Sequence, residues 1–556
     1  MVVRNRQIAI ALAAVGVLLF AFPTLADDLP VSPGTPKPEP VVVLNPLRTK
    51  AAQAEKSGKW DQALELYLRL YLEQQPTAEL RERIKVCLRH SSQVRRQRDP
   101  AFQQFVLSLS VAESLNLYAE ILGRLSTVYV DRDRATAARL FGLGVEEFDR
   151  ALANAEFRKA NMDPAAEAKL GKFQRSLRDN WRTKLPENPR EARHAVREIV
   201  LEATQQLGLG NPSAVVFEFL CGACTGLDEF TLYVSPASSE YPSPVLELAS
   251  YGILVRLAPS ELFVDGVIPG SWASFHTTLK KGDRIARVNN RSLDPNVPNS
   301  VGQALRDPGM AGHELEITTA ENPSAAANVR LPIPLPTVFG GEILVPKDGV
   351  AYLRLAAFRD TTPREFDDAL MSLKARGMRV LVLDLRGNPG GLFPAAVQVA
   401  QRFLPSGILV TTQGQAAEFN NRVFSSDAGM TALDVPLVLL VDTKTMSSAE
   451  AVAVAWKDHG RATLVGLPTF GKGVIQSPIR LQSVDRVDGS AGRSGVLILT
   501  VATMHGPRGG AINGIGVVPD ILEVDPVRQL EVALAKALEL ANGGMRMPVD
   551  PPPVRP

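Results

Sequence analysis

Three cysteines in 556 residues are too few for a disulfide framework. Cys87 stands alone, and Cys221-Gly-Ala-Cys224 has neither a second pair nor a His-x-x-His beside it, so a zinc cluster and a redox dithiol are not indicated. No metal or cofactor is expected, and the pair reads as structural thiols or one local disulfide. Charge of one sign is missing too. Sixty-one Lys and Arg against 59 Asp and Glu leave +2, and with aromatics at 6% there is no basic-aromatic stripe, which removes nucleic acid as a partner. Long apolar runs are confined to residues 8–22, short for a membrane-spanning helix.

That run follows Arg4 and Arg6 and precedes Pro23 and Thr24-Leu25-Ala26-Asp27-Asp28. The pattern is a secretory signal with a cut after Ala26. It sends the chain to the periplasm or cell envelope, with membrane association only if the segment stays uncleaved. No cysteine near the cut offers a lipid anchor. Prolines at 30, 33, 36, 38, 40 and 46 make an extended linker, and the tail from 546 is Pro-rich as well. Between them, 45% hydrophobic content supports several cores.

Chemistry concentrates in three short segments. Apolar residues 436–441 read as a buried strand and 447–458 as a helix, which places Ser447 at a helix N-terminus in Thr445-Met446-Ser447-Ser448-Ala449-Glu450. There the Ser448 N–H is free to hold an oxyanion. Ser447 with Glu450 also spells a capping box, the structural alternative. Lys472 lies in Thr469-Phe470-Gly471-Lys472-Gly473. Residues 466–472 match most of a phosphate-binding loop, but Gly473 replaces the magnesium-binding Ser or Thr, and residues 474–478 read as a strand where that loop opens a helix. Burial would disfavour the lysine's charge and make it a base for the serine. In an extended segment Lys472, Val474 and Gln476 share one face, where the Gln476 amide can orient the amine. The third segment is a buried strand over 380–385 ending in Arg386-Gly387-Asn388-Pro389-Gly390-Gly391, whose Gly390 or Gly391 could supply a second oxyanion N–H. His459 beside Asp458 offers a Ser-His alternative, but at the end of the helix away from Ser447.

Taken in order, residues 383–392, Ser447-Ser-Ala-Glu450, Thr469-Phe-Gly-Lys-Gly473 with Gln476, and Gly516-Val-Val-Pro-Asp-Ile521 resemble the carboxyl-terminal processing, or tail-specific, proteases. The resemblance covers roughly residues 105 to 525. It implies a crotonase-like α/β catalytic domain with a Ser447 nucleophile, a Lys472 general base, Gln476 orienting the lysine, and Asp458 at an acidic position on the following helix. Met446 stands where a small residue is usual, and Thr443-Lys444-Thr445 replaces the usual Gly-Ser or Gly-Thr approach.

Short strands and turns between 249 and 320 resemble a PDZ domain, most specifically Lys281-Gly-Asp-Arg-Ile285 followed by Val288-Asn289. The resemblance places a groove helix at 301–305 and a site for a peptide C-terminus near Gly252-Ile253-Leu254. Gly58-Lys-Trp-Asp-Gln-Ala-Leu64 with Tyr67 and Pro76 resembles one tetratricopeptide unit.

The expected organisation is multidomain α+β. It runs through a signal peptide (1–26), a Pro-rich linker (27–46), a helical tetratricopeptide-like unit (47–100), a helical lead-in (101–248), a small β-rich PDZ-like domain (249–320), a linker (321–346), a catalytic α/β domain with a C-terminal helix (347–545) and a Pro-rich tail (546–556). The expected activity is an exported serine endopeptidase acting on proteins with free C-termini, with the N-terminal helices open to an adaptor protein. The alternative is a peptide-binding scaffold whose altered Met446 loop has lost catalysis.

Overall fold

The computed structural model describes residues 46–73, 77–181, 183–236, 248, 251–258, 261–267, 271–292, 313–318, 326–332, 336–426, 432–484 and 494–543. The signal segment, the linker up to residue 45, the Pro-rich tail and the 301–305 helix lie outside the described residues.

Helices α1 (Pro46–Lys56), α2 (Trp60–Glu73) and α3 (Ala78–Arg98) pack around Ala51, Ala63, Leu64, Tyr67 and Tyr71. Pro46 occupies the first helical turn, where its missing N–H costs nothing, so the linker ends one residue earlier than expected. A larger helical layer follows: α4 (Pro100–Leu107), α5 (Val111–Val128), α6 (Ala137–Ala153), α7 (Ala155–Asn161), α8 (Glu167–Trp181), α9 (Pro189–Leu207) and α10 (Ser213–Thr225). α10 is buried through Cys224, so apart from Ser213 and Glu218 its buried residues are apolar all round and carry little helical period. Cys221 and Cys224 are free, buried thiols on this helix, and burial pushes Cys221 up to about 12. At such a value the thiolate needed for redox or metal work is scarce.

The small β unit is antiparallel. Strands β2 (Ile253–Ala258), β3 (Glu261–Val267), β4 (Arg284–Val288), β6 (His313–Thr318) and β7 (Ala326–Leu331) follow in that spatial order, with β5 (Arg291–Ser292) on β4. They enclose Ile253, Leu262, Val264, Ile285, Leu315 and Leu331 with Trp272 of α11 (Trp272–His276). The expected 321–346 linker is a mistake. It holds β7, which pairs with β6 residue for residue, and β8 (Val338–Val345), which belongs to the next sheet. Masking by polar and charged residues on β7 hid its strand character; only Leu331 is buried there.

That next sheet is β17-β14-β13-β10-β9-β8, built from β8, β9 (Val350–Leu355), β10 (Val380–Asp384), β13 (Leu437–Val441), β14 (Ala462–Gly466) and β17 (Ile521–Leu522). All neighbours are parallel except β8 with β9. Its alternating residues explain the continuous apolar runs. Leu381, Leu383, Leu437, Leu439 and Val441 meet α12 (Thr362–Ala375), α13 (Phe393–Gln401) and α14 (Ser448–Asp458), while Val380, Val382, Val438 and Leu440 meet α15 (Pro526–Ala541) on the other face. A strand buried on both faces has no polar side to show. A separate antiparallel sheet joins β1 (Leu232–Val234), β16 (Val496–His505), β11 (Gly407–Gln413) and β12 (Arg422–Ser426), with β15 (Val474–Arg480) added to β16. β1 thus ties the helical layer to the α/β unit.

Candidate active site

The three chemistry-bearing segments follow the carboxyl ends of three adjacent parallel strands. β10 runs into Arg386 to Gly391, β13 into the Ser447 loop, and β14 into Thr469 to Lys472. Parallel strands side by side deliver their following loops to one edge of the sheet, the usual place for a site in such folds.

Ser447 has φ 55° and ψ −123°. An ordinary N-cap is extended, as at Ser110 in this chain with φ −67° and ψ 158°. The positive φ on a residue with a side chain costs about 1–3 kcal/mol and marks a strained turn rather than a plain cap. Asn388, Asp442 and Glu450 hold it. Met446 N–H donates to the Asn388 carbonyl at 2.9 Å, and Asp442 Oδ1 accepts the N–H groups of Gly387 and Lys444, both at 2.9 Å. Met446 is buried at 1% exposure, so the larger side chain is absorbed by the core.

Glu450 is fully buried and serves both the Ser447 loop and the Lys472 loop. Its Oε2 accepts the Ser447 N–H at 2.9 Å and the Lys472 N–H at 2.8 Å, while Oε1 accepts the Gly471 N–H at 2.6 Å and the Thr469 hydroxyl at 2.5 Å. One carboxylate therefore joins the backbones of the two candidate dyad residues. Burial raises its carboxyl to about 7, against the pull of these four donors. Sequence patterning showed only the capping-box spacing of Glu450; its partners on the Lys472 loop carried no local signal.

Gly390 and Gly391 adopt φ 89° and 138°. A Cβ on Gly390 would stand 2.8 Å from the Met446 carbonyl oxygen and 2.9 Å from Ser447 Cβ, so this glycine is what lets the two loops touch. Its own N–H is taken, donating to Asn388 Oδ1 at 2.8 Å. Gly390 is therefore withdrawn as an oxyanion donor. The Ser448 and Gly391 N–H groups have no acceptor among the described residues, and Ser448 Oγ donates to the Gly391 carbonyl at 3.3 Å, which holds the two residues together.

Lys472 is half-buried, with Nζ 4.8 Å from the Phe230 ring centre. Burial lowers its pKa to about 8, opposed by the charges of Glu450, Asp228 and Glu229. Its Nζ and Ser447 Oγ are not hydrogen-bonded to each other among the described residues. Gln476 does not bond the amine either. A bulge between Ile475 and Gln476 breaks the expected two-residue period, and the Gln476 amide donates to the Phe230 carbonyl at 2.6 Å. It holds the segment under the lysine instead.

Asp458 is not brought to this cluster. It ends α14, about 16 Å along the axis from the Ser447 end, and accepts the Arg508 N–H at 3.1 Å. His459 is equally remote, buried with Nε2 at 2.7 Å from the Ile408 carbonyl. At the small β unit, Gly252 has φ 85° in the turn leading to β2, and Ile253 and Leu254 open that strand. Among the described residues β2 pairs only with β3, so its other edge is unpaired.

The model of peptidase family S41 matches residues 349–522, a span that includes Asn388, Ser447, Glu450, Lys472 and Gln476. The carboxyl-terminal-processing protease of Synechocystis sp. is 31% identical over 314 residues, covering 54% of this chain and 70% of that protein. The chain belongs to the carboxyl-terminal-processing proteases. The family's protease of Bartonella bacilliformis is 29% identical over 336 residues, covering 58% of this chain and 73% of that one. The solved photosystem II D1 C-terminal processing protease covers 75% of this chain and 94% of its own, at 24% identity and a TM-score of 0.39. A carboxyl-terminal-processing protease needs a nucleophile, a proton acceptor and oxyanion donors, and this cluster offers one side chain or N–H pair for each.

Proposed function

We propose that the protein is an exported serine endopeptidase in which Ser447 attacks the scissile carbonyl and Lys472 is the general base. The observation that carries this reading is the Glu450 carboxylate holding the Ser447 and Lys472 N–H groups on one oxygen. In the first step the Ser447 Oγ–carbon bond forms and its proton passes to neutral Lys472. The oxyanion lies against the Ser448 and Gly391 N–H groups, each donor worth on the order of 3 kcal/mol in the transition state. Collapse breaks the peptide bond, and Lys472 returns the proton to the leaving amine. Water, deprotonated by the same lysine, then hydrolyses the acyl ester. The Oγ–Nζ hydrogen bond is required in the substrate complex, where catalytic hydrogen bonds tighten.

The catalytic unit is read as crotonase-like and the β2–β7 unit as PDZ-like. A β2 edge unpaired among the described residues, after the Gly252 turn, suits addition of a substrate C-terminus as a further strand, with its carboxylate on backbone N–H groups near Gly252, Ile253 and Leu254. Export rests on the signal-like residues 1–26, and α1–α3 are the surface offered to an adaptor. Cleavage of a tailed protein substrate by the Ser447→Ala, Lys472→Ala and His459→Ala variants tests the assignment. Loss in the first two and retention of most activity in the third is expected; activity in Lys472→Ala with loss in His459→Ala would overturn it.

A further inference from the structure

The N-terminal helices touch the Lys472 pocket at three separate points. Tyr71 of α2, 4% exposed, donates its hydroxyl to the Phe470 carbonyl at 2.6 Å, with the two ring centres 5.0 Å apart. The Phe470 peptide is a junction: its N–H donates to the Thr445 carbonyl at 3.0 Å, two residues before Ser447, and the next two N–H groups go to Glu450. Arg81 of α3 lies over the Tyr71 ring at 5.6 Å and borders Gly514, whose N–H donates to the Gly471 carbonyl at 2.8 Å. Lys85 of α3 pairs with Glu229 at 3.7 Å, beside the Phe230 that Lys472 covers.

The C-terminal end of α3 is fastened independently. Gln93, Arg96 and Gln97 reach the buried carboxylates of Glu147 on α6 and Glu218 on α10, with Gln97 Nε2 at 2.7 Å from Glu218. An ionic network of this burial is costly to break. The helices are thus a fixed wall, and Tyr71 is the point at which the wall meets the base loop.

We propose that α1–α3 complete the general-base pocket and that Tyr71 is a positioning residue for Lys472, acting through the Phe470 peptide. This rests on Lys472 being the base. With the wall in place, the 469–473 loop keeps its amine out of bulk water. Anything that lifts α2 from Phe470 admits water to that loop and returns the lysine toward its ordinary charged state. The charged and titratable groups around the amine are Glu450 on α14 and Asp228 and Glu229 before β1, with Tyr71, Arg81 and Lys85 behind them on α2 and α3. Burial pushes the Tyr71 phenol up to about 12, so it remains a donor across the working range.

The test is the pH dependence of Ser447 labelling by a fluorophosphonate in the full chain, comparing wild type, Tyr71→Phe and Lys472→Ala. Phe keeps the ring and removes only the hydroxyl. Tyr71→Phe is expected to label about fivefold more slowly at pH 7, the effect of one lost hydrogen bond, with the rise displaced to higher pH and the two rates converging above pH 9. Amide exchange in residues 469–473 should accelerate while that in 380–384 stays unchanged. Equal slowing at every pH, or no change in either measurement, would overturn the inference. The Lys472→Ala arm separates causes. If it labels like wild type, the base assignment has failed; if it is silent while Tyr71→Phe matches wild type, only the positioning role has failed.

Discussion

Replacing Glu450 by Gln perturbs geometry and charge in opposite directions, and the two consequences can be read apart. All four groups on the carboxylate are donors, two on each oxygen. A Gln amide keeps one accepting oxygen. If that oxygen stays with Ser447 and Lys472, the NH2 faces the Gly471 N–H and leaves it without an acceptor, a loss of about 1–3 kcal/mol in the stability of the catalytic unit. The charge effect runs the other way. Ionised Glu450 favours charged Lys472, so its removal lowers the lysine further than burial alone already does. In the wild type, a value of about 8 leaves about a tenth of Lys472 neutral at pH 7, against about one in three thousand for a lysine at 10.5. Glu450→Gln should therefore show a lower plateau of peptide cleavage, and its rising limb should move to lower pH.

Stability carries a matching signature. Because burial raises Glu450 from 4.5 to about 7, the folded state holds a proton that the unfolded chain has released across that window, and this group's contribution falls as pH rises from 4.5 to 7. Lys472 acts in the opposite sense: between about 8 and 10.5 the unfolded chain binds the extra proton, so stability gained from this group rises with pH. Glu450→Gln should abolish the first slope and extend the second to lower pH, because the lysine loses the charge that favours its protonated form. Denaturant unfolding and a pH-rate series measure both. A limb that moves to higher pH in Glu450→Gln, or an unchanged unfolding free energy, would refute the reasoning.

Two further outcomes are expected. Amidating the C-terminus of a peptide substrate, or changing Leu254→Asp at the β2 edge, should slow cleavage of tailed substrates while leaving fluorophosphonate labelling of Ser447 largely intact; silence of both changes would remove the tail-reading role. Asp384→Ala should destabilise the catalytic unit by about 3–5 kcal/mol, because it strands Arg354 and Arg386, whose charges hold the buried Asp384 carboxyl below its usual range despite the opposing effect of burial. Chemical unfolding of the variant checks it, and a change below about 1 kcal/mol would contradict the buried-pair account.

Two of the parallel strands, β10 and β13, and the three site loops are legible because their signals are local. Residues 380–383 and 436–441 are apolar throughout, as two-sided burial requires, and the Gly-Gly turn, the helix-starting serine and the Gly-Lys-Gly segment each follow a strand. What escaped is what the sequence separates. Glu450 meets Gly471 and Lys472 from another loop, and Phe230, which bears the lysine and binds Gln476, comes from before β1. The spacing of Gly390 and Gly391 could not say that Asn388 already holds the first N–H. Asp458 came only from the resemblance; as the last residue of α14 it lies a helix length from Ser447. β7 and β8 escape because Asn328 and Arg330 interrupt the short β7 and the Gly340-Gly341 pair breaks the pattern of β8.

The central claim is that Ser447 is made nucleophilic by Lys472. Its most direct test is covalent labelling by a fluorophosphonate at pH 8, with the modified peptide located by mass spectrometry in wild type, Ser447→Ala and Lys472→Ala. The account predicts a single adduct on Ser447 in the wild type, none in Ser447→Ala, and labelling slowed by at least two orders of magnitude in Lys472→Ala, the scale on which a general base contributes. An adduct on another serine, or wild-type labelling of Ser447 without Lys472, would contradict it.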